Sequence, residues 1–248
     1  MAVKDMANIE KLVGIHQPNF FPWLGFFDKI CRSDIFILLD DVQFPKSGRG
    51  GWTNRVQVSD HGTPRWLTLP VDRTYQGLRN INEIQIANDP SWQQKIINAL
   101  NAYYRRAPYW DEIFPIIQNC IAHPSKFLLD FNLHALFILL DHLGLDRSHL
   151  VLASNLSVSS KSTERLIDLI NAVKGTAYYC GGGASGYQED TQFALNSIAL
   201  VYQNFQHPQY NQFLNRNNFV QGCSIIDVLF NLGFNDTKKL IAHQNIYE

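Results

Sequence analysis

The chain has 248 residues, of which 46% are hydrophobic, 12% aromatic and 17% charged, and its formal net charge is −1. That balance excludes a disordered chain and argues against a general polyanion or nucleic-acid binder, which needs an excess of Lys and Arg. A chain this long buries roughly 70–75% of its unfolded surface and needs no covalent staples. The cysteines Cys31, Cys120, Cys180 and Cys223 stand far apart without a CxxC, so neither a zinc cluster nor a disulfide framework is suggested. Cys31 and Cys120 fall on apolar helical faces and read as core thiols. The opening "MAVKDMANIE" lacks a signal-peptide core, and no apolar run approaches eighteen residues. A soluble cytoplasmic protein is expected, with no membrane partner.

No repeat, linker or low-complexity tract interrupts the chain, which reads as a single compact α/β domain over 1–248. "LVGI" suits a strand buried on both faces, and "WLGFFDKI" places Trp23, Leu24, Phe27 and Ile30 at helical spacing. "IFILLD" (35–40) is a second buried strand, which completes a parallel βαβ unit. From 52 to 90 the short alternating runs "WTNRVQV", "RWLTLPV" and "INEIQIA" predict an antiparallel excursion. A helical block over 91–145 follows, with helices at 91–105, near 109–121 and at 125–143 before Gly144. Strands then return at "SHLVLAS", "TAYYC" and "IALVYQ", with the helix "STERLIDLINAVK" between the first two. Two helical patterns, "SIIDVLFNLG" and "DTKKLIA", close the chain. The expected fold is a Rossmann-like parallel sheet with a β excursion and a helical block.

Ligands of open parallel sheets bind outside the carboxyl ends of the strands. Four polar loops fall there: His16, Gln17 and Asn19; Asp40, Asp41, Gln43 and Lys46; "SNLSVSSKSTERL"; and "CGGGASGY". His16-Gln17 reads either as a strand-end pair satisfying loop backbone or as a proton-transferring, phosphate-contacting imidazole. Asp40 and Asp41 either cap a turn or resemble a magnesium or base position; adjacent strand residues face opposite ways, so only one should face the pocket, and Asp40 is favoured. Lys46, Arg49, Arg55, Arg65, Arg73 and Arg79, against Asp60 and Asp72, make a local cationic excess. It is either an anion-gripping surface or a solvated rim. Gly181, Gly182 and Gly183 suit a backbone nest for an anion, although no GxGxxG is present. Ser160 and Lys161 lie either in a helix cap or in a loop like that of nucleotidyltransferases, whose HxGH histidines are replaced here by Trp23 and Phe26. Asp227, in an apolar helical pattern, is expected to pair with a cation such as Arg55.

The ordered blocks "IHQPNFFPWLGFFDKI", "FILLDDVQFPK", "NRVQV", "WLTLPV", "ERLIDLI", "YYCGGGASGY", "HPQYNQF" and "SIIDVLFNLG" resemble the WbqC-like family over about residues 13–240. The resemblance implies a bacterial enzyme of glycoconjugate, O-antigen or natural-product biosynthesis. Its polar positions map onto His16, Gln17, Pro18, Asn19, Asp28, Asp40, Asp41, Gln43, Lys46, Asn54, Arg55, Gly181, His207, Tyr210 and Asp227. "KSGRGGWTNR" and the Cys180-Gly181 opening depart from the family's pattern.

The leading expectation is a transferase joining an acyl or aminoacyl group to an amino sugar or similar amine. His16 is its base, aided by Asp40 and Asp41. Gln17, Asn19, Gln43, Lys46, Asn54, Arg55, the glycines, His207 and Tyr210 hold substrate, and no metal is bound by the protein's own residues. One alternative is an enzyme using ATP with magnesium through Ser160 and Lys161 to activate a carboxylate or transfer a nucleotide. Another is a non-catalytic nucleotide-sugar-binding protein. The aromatic content is compatible with a homodimer.

Overall fold

The computed structural model describes residues 9–45, 51–181, 189–214 and 218–243. Its strands are β1 (Leu12–His16), β2 (Ile35–Leu38), β3 (Arg55–Asp60), β4 (Thr63–Thr68), β5 (Leu150–Leu152), β6 (Ala177–Gly181) and β7 (Ala199–Gln203). The helices are α1 (Leu24–Arg32), α2 (Trp92–Tyr104), α3 (Trp110–Ala122), α4 (Leu128–Leu143), α5 (Ser162–Ala172), α6 (Asp190–Leu195) and α7 (Ile225–His243). The chain divides into two compact units. A sheet unit comprises Met1–Gln17, Asp28–Asp41 and Asp146–Phe205, and a helical unit comprises Pro18–Phe27, Val42–Leu145 and Gln206–Glu248.

In the sheet unit the strand order is β5-β2-β1-β6-β7, and every pairing is parallel. Alternation assigns Val13, Ile15, Ile37, Tyr178 and Cys180 to one face. There they join Ile167 and Ile170 of α5 and Phe193 of α6 in one buried cluster. On the other face Gly14 pairs with Phe36 and Tyr179. A Cβ on Gly14 would stand 2.2 Å from the Ser33 hydroxyl and 2.9 Å from the Phe36 ring, so this strand position admits only glycine. Connections lead outward from β1 to β2 and β5 on one side and to β6 and β7 on the other. The topological switch point therefore lies between β1 and β6.

The helical unit holds the antiparallel β3–β4 hairpin, whose inward residues Val56, Val58 and Leu67 are buried. Helices α2, α3, α4 and α7 complete it. Phe20 and Phe21 pack edge to face and meet Phe131 of α4, while Phe230 of α7 stacks on Tyr104 and Trp110. Asn132 holds the loop after β1 by donating to the Pro18 and Thr53 carbonyls at 3.1 and 2.8 Å. Among the described residues no helix is long and apolar enough to cross a membrane.

Two local expectations change, and a third holds. "INEIQIA" forms a 3-10 turn at Ile81–Glu83, followed by isolated bridges, because Glu83 accepts the Asn80 N–H at 2.8 Å and curls the chain. The two closing helical patterns are both helical, as expected, and meet within α7 at a kink where Gly233 is non-helical (φ 68, ψ 179). Cys31 is exposed rather than in the core, whereas Cys120 is buried.

Candidate functional site

His16 is the last residue of β1, at the carboxyl edge of the sheet beside the switch point. Its Nδ1 lies 2.9 Å from the Gln17 carbonyl, which makes Nδ1 the protonated nitrogen and puts the basic lone pair on Nε2. Burial and the neighbouring Lys29 charge pull its pKa down from 6.5 to about 4, against that hydrogen bond, which favours the charged ring. The imidazole is therefore neutral at pH 7.

Lys29 of α1 is 3% exposed, and its Nζ donates to the Ile15 carbonyl at 3.0 Å. Burial lowers its pKa from 10.5 to about 8, so it remains mostly an ammonium at neutral pH. Asp28, one residue earlier, faces a different direction around the helix. It accepts from Arg32 Nε at 2.8 Å, Gln203 Nε2 at 2.8 Å and the Tyr179 hydroxyl at 3.3 Å. Among the described residues no carboxylate pairs with Lys29.

The other predicted residues of the sheet unit are held by their own neighbours. Asp40, 1% exposed, accepts the Ser154 N–H at 3.0 Å and the Ser154 hydroxyl at 2.7 Å, one on each carboxylate oxygen. Asp41 meets the Arg165 guanidinium at 2.6 Å, and Arg165 also donates to the Val158 and Ser160 carbonyls. Ser160 donates to Asp168 at 2.6 Å and Lys161 is an exposed helix N-cap, so this loop is braced within its own helix. Gly181 ends β6, where a Cβ would meet no described atom within 4 Å. Lys46, Gly182 and Gly183 lie outside the described residues. Cys180 is buried and donates to the Val201 carbonyl at 3.5 Å, a packing thiol rather than a presented nucleophile.

Asn19, Gln43, Asn54, Arg55, His207 and Tyr210 belong to the helical unit. Asn19 is buried there. Gln43 is exposed and bridges Asn80. Asn54 donates to the Leu69 carbonyl at 2.9 Å and accepts Leu69 N–H on its own carbonyl at 2.8 Å, closing the base of the hairpin. Arg55 lies over the Trp66 ring at 4.6 Å, Arg65 pairs with Asp60 and Arg79 with Glu83, so the cationic excess is distributed among local partners. The His207 ring lies tilted against Trp23, with ring centres 4.9 Å apart, and burial lowers its pKa.

Asp227 departs from the expected pairing with Arg55. Fully buried, it receives the Tyr104 and Tyr210 hydroxyls at 2.5 Å each, Gln212 Nε2 at 3.1 Å and the Ser59 N–H at 3.3 Å. Burial raises its pKa despite these donors, and raises those of both tyrosines. Neutral phenols satisfy both carboxylate oxygens, which a single guanidinium would do only by being buried as well. Among the described residues no group of three or more His, Cys, Asp or Glu side chains is placed to hold a metal.

Sequence reasoning missed Lys29. The apolar run before it was the part of the signal the sequence carried; that every residue of "LGFFDKI" from Leu24 to Ile30 is buried, leaving Lys29 no solvent-facing side, is visible only in the structure.

The chain belongs to the WbqC-like protein family, whose model matches residues 17–239. A protein of Mycobacterium tuberculosis (strain ATCC 25618 / H37Rv), described as uncharacterized protein Rv1507c, is 29% identical over 227 residues, covering 90% of this chain and 94% of its own. No solved structure matches.

Proposed function

We propose that this protein is a bacterial cytoplasmic transferase that attaches an acyl or aminoacyl group to the amine of an amino sugar or similar small molecule. The substrates are precursors of glycoconjugates, O-antigen among them, or of natural products. The observation that carries the reading is a neutral imidazole at the end of β1, beside the switch point of a parallel sheet, with its lone pair on Nε2. In the reaction the amine nitrogen attacks the acyl carbonyl and forms the C–N bond. The nitrogen's surplus proton passes to His16 Nε2, and the donor's leaving group departs with its bonding electrons. A base that is unprotonated at working pH suits that step and contributes about 10²–10⁴-fold.

The test incubates the full chain with nucleotide-linked amino sugars and with acyl or aminoacyl donors, and follows product mass. Acylated amine is expected without ATP. His16→Ala should lower kcat by about 10²–10⁴-fold with KM changed only a few-fold. Unchanged turnover in that variant removes the base assignment. Product that forms only with ATP and magnesium supports carboxylate activation instead, and nucleotide-sugar binding without turnover supports a delivery role.

A further inference from the structure

We propose that the gap where β1 and β6 part is a binding subsite for one anionic group, carboxylate or phosphate, of a small-molecule ligand, with Lys29 as its counter-charge. The proposal goes beyond the transfer reaction and holds for any ligand that carries such a group.

Pairing between β1 and β6 runs from Leu12 opposite Ala177 to Gly14 opposite Tyr179, yet β1 continues to His16 and β6 to Gly181. Continuing that register by two residues sets His16 opposite Gly181, at the edge where the strands separate. The His16 carbonyl accepts the Leu39 N–H at 2.9 Å, on the β2 side. Carbonyls of consecutive strand residues point to opposite sides, so that of Ile15 turns toward β6. It is this carbonyl that receives the Lys29 ammonium. The side chain thus reaches from α1 into the last, open rung between β1 and β6.

A buried ammonium without a counter-ion costs several kcal/mol. One carbonyl satisfies one of its three donors. Asp28, the acidic neighbour in sequence, is engaged by Arg32, Tyr179 and Gln203. The adjacent His16 carries no compensating charge. An anion would enter on the β6 side, where a Cβ on Gly181 would meet no described atom within 4 Å. A buried positive charge at a switch point, held by one carbonyl and lying 5.9 Å from the Tyr178 ring centre where the β1–β6 ladder ends, has the form of a site for a negative ligand.

The experiment measures melting of the full chain at pH 7 and constant ionic strength, with millimolar inorganic phosphate or acetate against a chloride control. For the wild type, at least one of the two anions should raise Tm by about 5 °C. Lys29→Met should abolish the shift, and its own Tm without added anion should be no lower than that of the wild type, because an uncompensated charge has been removed. A response to phosphate alone assigns a phosphoryl group, and a response to acetate alone a carboxylate. No shift with either anion, or equal shifts in wild type and variant, overturns the proposal. Should Lys29→Met fail to fold, Lys29→Gln, which keeps a donor for Ile15, must fold and lose the shift; if it also unfolds, Lys29 is a brace and the subsite is refuted. Because the readout is binding, a failed transfer assay leaves this result untouched.

Discussion

Asp227 shows how a single residue is legible in kind but not in partner. Its apolar helical surroundings announce a buried carboxylate, and the structure buries it fully. What it pairs with depends on Tyr104, 123 positions away, and on Tyr210 and Gln212, whose roles no local pattern marks. The same holds for Asn54 and Asp40, polar residues singled out in the sequence whose hydrogen bonds hold backbone and a serine. The Asp227 cluster makes a graded prediction. Asp227→Ala leaves the two buried phenol donors without their acceptor, while Ser59 N–H and Gln212 keep the Tyr104 hydroxyl and the Val220 carbonyl, and should cost about 3–5 kcal/mol of stability. Asp227→Asn keeps one acceptor oxygen and should cost about 2 kcal/mol. Urea unfolding of both variants checks the order, and losses below about 0.5 kcal/mol, typical of surface sites, would refute the buried network.

At the scale of elements, periodicity located β1, β2, β6 and β7, the long helices and the hairpin, because each buries one face or both and must repeat accordingly. It missed α6, whose six residues complete fewer than two turns, and it read a strand where the Asn80–Glu83 contact curls the chain. The break in α7 was visible as a glycine between two helical patterns. Its physical basis is both conformation and contact. Gly233 adopts φ 68 with ψ 179, a region essentially reserved for glycine, and a Cβ would stand 2.6 Å from the Tyr109 ring. Gly233→Ala therefore combines backbone strain with a steric overlap on α3's N-cap residue. It should lower stability by about 2–5 kcal/mol, or Tm by roughly 5–15 °C, in a calorimetric scan. An alanine variant melting with the wild type would mean that the kink is not needed for α7 to pack.

For the molecule as a whole, the candidate site leaves a signature in the pH dependence of folding. His16 and Lys29 are both harder to protonate in the folded chain than in the unfolded one, so both make stability rise with pH. His16's contribution is complete above pH 6.5 and is lost as pH falls toward 4, a change of about 3 kcal/mol. Lys29 penalises the folded state below pH 8, and the penalty fades as pH rises toward 10.5. Other groups titrate oppositely: Asp227, raised by burial, loses stability as pH climbs above 3.8, and Tyr104, Tyr178, Tyr179 and Tyr210, raised likewise, lose it above 10. The site is therefore read by difference. Wild type minus Lys29→Met should be negative or near zero at pH 7 and should climb between pH 8 and 10.5, where the tyrosines away from Lys29 (Tyr104, Tyr179 and Tyr210) cancel between the two proteins. In the same variant the His16 ring, relieved of a neighbouring charge, should titrate above 4 by NMR. A difference curve that stays flat across the alkaline range would show that the Lys29 ammonium is not desolvated in the fold, and with it would go the uncompensated charge on which the anion subsite depends.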